Sequence, residues 1–298
     1  MSGDSIAFIG LGNMGQPMCQ NLLKANYKVI AFDISAAARD AAREAGAAMA
    51  ASAADAAANA DVIITMLPAG EHVLETWTSA LAPARQGALL IDCSTIDVES
   101  ARKAHELAAA LGAASLDAPV SGGVGGARQA SLTFMAGGTQ EAHARAEPIL
   151  MKMGRKVFHC GGAGAGQSAK ICNNMLLAIS MIGVSEALNL GAKLGLANQA
   201  MYDVITASSG RCWSLETYCP VPGPVAASPA NNGYKPGFAA NLMLKDVRLS
   251  QKAAAAAGAA TPLGALAEQI YSQFSEAGFG DTDFSGIITF LETQKRQV

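Results

Sequence analysis

Lys170 and Asn174 stand four residues apart in the segment Gly166-Gln167-Ser168-Ala169-Lys170-Ile171-Cys172-Asn173-Asn174. On a helix, that spacing puts an ammonium and a carboxamide on one face. Such a pair can pass a proton to or from a hydroxyl or carbonyl oxygen while fixing that oxygen in place. Desolvation and a nearby positive charge would bring a lysine down from ~10.4 toward the range of a general base. Spacing alone fits equally well a solvated lysine near a helix start. A second segment, Asp117-Ala118-Pro119-Val120-Ser121-Gly122-Gly123, sets a hydroxyl beside backbone amides. It reads either as a nest for a carboxylate or other oxyanion, or as a plain turn.

The sharpest local signal is Phe8-Ile9-Gly10-Leu11-Gly12-Asn13-Met14-Gly15. An apolar run precedes it and a helical pattern follows, the context that a dinucleotide-binding G-x-G-x-x-G requires. Gly10 suits the tight turn, Gly12 lets the backbone approach a pyrophosphate, and Gly15 lets the helix pack close to the strand. The helix N-terminus offers unpaired N–H groups to phosphates. Pro17 is tolerated there, because early helical N–H groups lack intrahelical partners. Asp33 ends the next apolar run, where a carboxylate accepts the adenosine ribose hydroxyls and repels a 2′-phosphate; the nearest following arginine is Arg39. NAD is expected over NADP.

Other chemistries find less support. His72, His105, His143 and His159 come without a carboxylate at triad-like spacing and read as surface or capping residues. No nucleophile elbow is present. The cysteines at 19, 93, 160, 172, 212 and 219 form neither a C-x-x-C pair nor a metal-like cluster, which suggests reduced thiols in a cytoplasmic protein and no metal. The first residues, Met1-Ser2-Gly3-Asp4, lack the basic stretch of a signal peptide.

The elements that must hold these residues alternate in the first half. Strands are expected at Ser5–Ile9, Lys28–Phe32, Val62–Met66, Ala88–Asp92, Ser115–Leu116, Leu132–Ala136 and Lys156–His159, with helices at Met14–Ala25 and Ala36–Ala45 among them. That alternation predicts an α/β fold with a doubly wound parallel sheet. After Cys160 a glycine-rich hinge, 161–166, leads into one long helix of about 166–193, and no convincing strand follows. The expected organisation is a Rossmann domain over residues 1–163 and an all-α domain over 164–298, interrupted by the proline-rich loop Cys219–Gly237.

Composition narrows the partners. The chain has 298 residues, 51% of them hydrophobic, and 62 are alanine, which favours close helix contacts over large apolar anchors. A net charge of −3 argues against general nucleic-acid binding. Pro17 and the glycines interrupt the uncharged run Ser5–Leu23, and Ile171–Ser185 is short for a bilayer span, so no membrane segment is expected.

Taken in order, FIGLGNMGQPM (8–18), DAPVSGG (117–123), GAGQSAKICNN (164–174) and Phe238-x-x-x-Leu242-x-x-Lys245-Asp246 resemble the 3-hydroxyisobutyrate dehydrogenase family of β-hydroxyacid dehydrogenases, relatives of 6-phosphogluconate dehydrogenase. The resemblance spans the chain. It implies cofactor binding by Gly10, Leu11, Gly12, Asn13, Met14, Gly15, Asp33, Met66, Leu67, Pro68 and Thr95, with Phe238, Lys245 and Asp246 closing over the nicotinamide end. It further implies that Ser121, Gly122 and Gly123 hold a substrate carboxylate, Lys170 is the acid/base and Asn174 orients the substrate in an interdomain cleft. Trp213 and Tyr218 fall in what looks like the specificity segment, where Cys212 and Val221 depart from the branch pattern. The implied reaction is NAD-dependent oxidation of 3-hydroxyisobutyrate to methylmalonate semialdehyde, a valine-degradation step, by a homodimer or homotetramer. L-Serine, 3-hydroxypropionate or another short 3-hydroxyacid, a non-catalytic NAD sensor and an imine or glyoxylate-type reductase are the competing readings.

Overall fold

The computed structural model describes residues 4–81 and 83–293. By Cα proximity the chain divides into two units, one up to Lys170 and one from Ile171. The first unit carries strands β1 (Ser5–Ile9), β2 (Lys28–Phe32), β3 (Ala48–Met49), β4 (Val62–Thr65), β5 (Leu89–Asp92), β6 (Ala114–Asp117), β7 (Val120–Ser121), β8 (Leu132–Gly138) and β9 (Gly154–Gly161). Between them run helices α1 (Gly15–Lys24), α2 (Ala36–Glu44), α3 (Ala53–Ala57), α4 (Gly70–Leu81), α5 (Val98–Ala110), α6 (Gly123–Arg128) and α7 (Gln140–Leu150). Helix α8 (Ala165–Lys193) begins in the first unit and continues into the second.

The sheet runs in the order β3-β2-β1-β4-β5-β6-β8-β7, with β9 beside β8. Strands β3 through β6 on that path are parallel, β8 is antiparallel to β6 and β7, and β9 is parallel to β8. The parallel core has the order of a dinucleotide-binding fold, whose ligand crevice opens where the winding reverses, beside β1. Strands β4 and β5 are buried at every position, which explains why they read as unbroken apolar runs. Ile6, Phe8, Ile64 and Ile91 pack one face of the sheet, while Ala7, Ile63, Leu90 and Trp77 pack the other. Ser35, Ser52, Asp97 and Thr139 cap α2, α3, α5 and α7 by accepting backbone N–H bonds. Two-residue β3 and β7 went unforeseen, since neither is long enough to display a period.

The second unit continues α8 and adds α9 (Asn198–Thr206), α10 (Trp213–Glu216), α11 (Ala240–Ala257), α12 (Pro262–Phe274) and α13 (Ile287–Thr293). Its one isolated β-bridge among the described residues joins Ala239 and Asp283. Small and medium side chains dominate the main cluster: Ala178, Met181 and Ile182 of α8 meet Ala240, Met243 and Val247 of α11 and Ala267 and Tyr271 of α12. By length and composition α8 is apolar enough to cross a membrane, because the helix extends past the short stretch Ile171–Ser185 at both ends. Part of that apolar surface packs inside the unit, Val184 and Leu188 joining Leu215, Cys219, Val221 and Ile288 in a second cluster, while Leu176 and Leu190 are exposed. The proline-rich loop is ordered by its own hydrogen bonds. Asn231 accepts from the N–H of Gly223 and donates to the Val225 carbonyl, and the Tyr234 hydroxyl donates to the Pro220 carbonyl at 2.8 Å.

Candidate active site

The carboxyl ends of β1, β2, β4 and β5 bring the expected cofactor residues to one edge of the sheet. Gly10 has φ +97°, and a Cβ there would lie 2.2 Å from the Met66 carbonyl oxygen. A Cβ at Gly15 would lie 1.9 Å from the Gly10 carbonyl oxygen, so the turn and the helix start exist only as glycine. Around Gly12, by contrast, a Cβ would meet nothing within 4 Å, which leaves room for a ligand to approach the backbone. Asn13 is exposed and Met14, the residue before α1, is half-buried. The Asp33 carboxylate is held beside this turn: Leu11 N–H donates to Oδ2 at 2.6 Å and Ser35 N–H to Oδ1 at 2.7 Å. Each oxygen keeps lone pairs for ribose hydroxyls. Arg39 folds back and donates to the carbonyls of Asp33 and Ile34 at 2.7 and 3.1 Å. Met66, Leu67 and Pro68 follow β4, with Leu67 N–H on the Ser94 hydroxyl at 2.7 Å, and Thr95 follows β5. These residues fit a dinucleotide.

Next to them lie two carboxylates side by side, since Asp92 and Asp117 are register partners at the ends of β5 and β6. Asp92 Oδ1 accepts from the hydroxyls of Thr65 (2.8 Å) and Ser94 (2.6 Å), while Oδ2 is buried without a partner. Burial is the main cause that pushes its carboxyl up to about 6, against the lowering effect of those hydrogen bonds. Asp117 is satisfied on both oxygens. Gly164 N–H and His105 Nε2 reach Oδ1 at 2.8 and 2.9 Å, and Gln167 N–H reaches Oδ2 at 2.8 Å. His105 Nδ1 lies 2.7 Å from the Ser115 hydroxyl. This corrects the sequence reading of the histidines: His105 does have a carboxylate partner, brought to it by folding. The Ser115–His105–Asp117 chain superficially resembles a hydrolase triad, but Ser115 is buried and Asp117 is committed to the start of α8.

Ser121 in β7 pairs opposite Thr133 of β8, and Gly122 and Gly123 follow with φ +132° and +60°. The backbone therefore turns sharply at the point where a carboxylate is expected to bind.

Lys170 and Asn174 share one face of α8 and are both buried, at 7% and 2% exposure. Asn174 Nδ2 donates to Asp246 Oδ2, and Asn173 Nδ2 donates to Asn174 Oδ1 at 3.0 Å. Asp246, expected near the cofactor, is thus the residue that orients the Asn174 amide. In the second unit Lys245 lines an open cavity of about 480 Å³ with Asn241, Arg248 and Lys252. Trp213 and Tyr218 stack at 5.0 Å. The Tyr218 hydroxyl donates to Asp283 Oδ2 at 2.9 Å, and burial beside that carboxylate raises its pKa. The Tyr218 ring also stacks on Phe284 at 5.3 Å, so ring and hydroxyl are both engaged, while Trp213 is half exposed. Phe238 meets Phe284 edge-on at 5.8 Å, and its N–H donates to Asp283. Sequence reasoning missed Asp283 altogether and took His105 for a surface or capping residue; for Gln167 and Asp117 it read the motif but not the role.

Two family models match consecutive halves of the chain: the NAD binding domain of 6-phosphogluconate dehydrogenase over residues 5–162 and the NAD-binding domain of NADP-dependent 3-hydroxyisobutyrate dehydrogenase over 164–291. With the glycine turn and Asp33, they define a nicotinamide-dependent hydroxyacid dehydrogenase. A probable 3-hydroxyisobutyrate dehydrogenase of Mycobacterium tuberculosis is 52% identical over 290 residues, covering 97% of this chain and 98% of its own. The 3-hydroxyisobutyrate dehydrogenase of Pseudomonas aeruginosa is 50% identical, covering 97% of both chains. A solved structure described as the M. tuberculosis 3-hydroxyisobutyrate dehydrogenase with L-serine superposes with a TM-score of 0.95 at 51% identity, over 98% of this chain and 100% of that one. The chain belongs to the 3-hydroxyisobutyrate dehydrogenase family.

Proposed function

We propose that the chain oxidises 3-hydroxyisobutyrate to methylmalonate semialdehyde, with NAD as cofactor and Lys170 as proton acceptor. The observation that carries this reading is the buried Lys170–Asn174 face of α8, whose amide is already oriented by Asp246. Bound NAD supplies the acceptor for the hydrogen and electron pair leaving the substrate's C3. Lys170 Nζ takes the proton from the 3-hydroxyl oxygen, and the Asn174 amide fixes that end of the substrate. Ser121 and the amides of Gly122 and Gly123 anchor the carboxylate, so that binding energy orients the reacting carbon. Trp213 presents ring surface to the C2 substituent, with Tyr218 stacked behind it as part of the wall. Phe238, Lys245 and Asp246 serve the nicotinamide end.

Asp33 selects NAD, because a carboxylate in that place opposes a 2′-phosphate. The reading extends to a cytoplasmic enzyme of valine degradation, assembled as a homodimer or homotetramer; of these, the six free cysteines bear only on the reducing compartment. L-Serine is the second reading, favoured by its presence with the M. tuberculosis relative. The two substrates differ at C2, methyl against ammonium; an aromatic wall accepts the first by apolar contact and the second by cation–π attraction, so the names of the relatives favour 3-hydroxyisobutyrate. A screen of 3-hydroxyisobutyrate, L-serine, D-glycerate and 3-hydroxypropionate, each with NAD and NADP, decides between them. Highest kcat/KM for 3-hydroxyisobutyrate with NAD is expected. A preference for L-serine reverses the substrate assignment, and cofactor binding without turnover of any hydroxyacid supports a sensor instead.

A further inference from the structure

Lys170 sits one turn into α8, so its position follows from whatever fixes the start of that helix. Two residues do so from opposite directions. The Asp117 carboxylate takes up the N–H groups of Gly164 and Gln167, both at 2.8 Å, which a helix N-terminus leaves without intrahelical partners. The positive end of the helix dipole favours the carboxylate there. His105 Nε2 steadies the same carboxylate at 2.9 Å.

The Gln167 side chain, which is fully buried, reaches the other way. Its amide nitrogen donates to the Ser94 carbonyl at 2.7 Å, and its oxygen accepts from the N–H of Ile96 at 3.1 Å. These two bonds bracket Thr95, the residue expected against the cofactor. Close approach is built in: a Cβ at Gly137 would lie 2.5 Å from Asp117 Oδ1, and one at Gly166 would lie 2.8 Å from Oδ2.

We infer that Asp117 and Gln167 are positioning residues for the proton transfer: they lock the first turn of α8 to the ends of β5 and β6 and thereby set where the Lys170 ammonium stands. The inference rests on Lys170 being the proton acceptor. Neither residue touches the reacting atoms. Each acts through the helix backbone, and misplacing a catalytic group by about 1 Å costs on the order of 10²-fold in rate. A helix cap that only contributed stability would have no need of the second tie from Gln167 to the segment around Thr95.

The test compares Gln167→Met, Asp117→Asn and Lys170→Ala in the full chain, reading kcat, KM for the hydroxyacid, NAD affinity by fluorescence, the pH profile of kcat, and Tm. Gln167→Met fills a similar volume but makes neither hydrogen bond. It should lower kcat by about 10- to 100-fold, move the acidic limb of the pH profile and weaken NAD binding by a smaller factor than it lowers kcat. Asp117→Asn should do the same with a larger fall in Tm. If Gln167→Met changes Tm while kcat and its pH profile stay at wild-type values, Gln167 is structural and the inference is overturned. Near-wild-type turnover by Lys170→Ala would instead remove the acid/base assignment on which the inference stands, so the two failures are separable. Should Asp117→Asn fail to fold, Gln167→Met alone decides.

Discussion

Asp117 in the first unit and Asp283 in the second are both carboxylates with almost no exposure, 1% and 0%, and both gather backbone N–H groups from a segment that carries expected site residues. Asp117 holds the start of α8. Asp283 holds the approach to α11: its Oδ2 accepts from Gly237 N–H, Phe238 N–H and the Tyr218 hydroxyl, and its Oδ1 accepts from the N–H and hydroxyl of Ser285. A carboxylate can be buried at tolerable cost only when such donors replace water. The two sites meet that condition differently. Asp283 ties three separate segments of one unit together, whereas Asp117 fixes one helix whose next turn bears Lys170. Asp92 shows the opposite outcome. It lies in register with Asp117, yet one oxygen has no donor and its carboxyl is pushed up to about 6. Asp92 and Asp117 each take three donors, but at Asp92 all three fall on Oδ1 and leave Oδ2 bare, whereas at Asp117 they are shared between both oxygens.

Breaking the anchors should separate them in kind. Asp283→Ala strands several buried donors, and a stability loss of roughly 3 kcal/mol or more is expected, visible as a Tm fall on the order of 10 °C. KM for the cofactor should rise through the loosened Phe238 segment, while the pH profile of kcat keeps its shape. Asp117→Asn should show the reverse balance, with kcat falling further than KM rises. If the two variants behave alike in KM, kcat and pH profile, the distinction between a fold anchor and a positioning anchor fails.

A smaller effect sharpens the contrast with Asp92. Its folded pKa of about 6 lies above the ordinary 3.8. Between those values the native chain keeps a proton that the unfolded chain has released. The contribution of this group to stability is therefore fully present at pH values below about 4 and is lost as pH rises through about 6. The shift corresponds to at most about 3 kcal/mol. Asp92→Asn removes that slope, so denaturant unfolding of the variant, relative to wild type, should improve as pH rises from about 4 to about 7. Parallel stability curves would mean that Asp92 is ionised in the native state at the lower pH.

How much of this was legible in the sequence depends on chain separation. The β1–α1–β2 unit could be read directly, because the glycine spacing and the apolar runs are local and Asp33 follows at a fixed interval. Lys170 and Asn174 were equally readable, being four apart on one helix. The Asp117 clamp was not, since its partners Gly164 and Gln167 lie 47 and 50 residues away, and only the sheet order brings them together. The same holds for His105, which looked unpartnered because its carboxylate is on the following strand. Asp246 was assigned to the cofactor by resemblance; that its Oδ2 also accepts from the Asn174 amide, 72 residues earlier, was not legible. Tyr218 was foreseen as pocket wall; the engagement of its hydroxyl by Asp283, 65 residues on, was not.

The central claim, that Lys170 is the proton acceptor of an NAD-dependent hydroxyacid dehydrogenase, is tested most directly by Lys170→Ala, with NAD affinity and 3-hydroxyisobutyrate turnover measured on the same preparation. A positioned acid/base contributes about 10²–10⁴-fold. The expected result is a loss of kcat in that range with NAD affinity within about twofold of wild type. Turnover near the wild-type rate by a variant that still binds NAD would contradict the account.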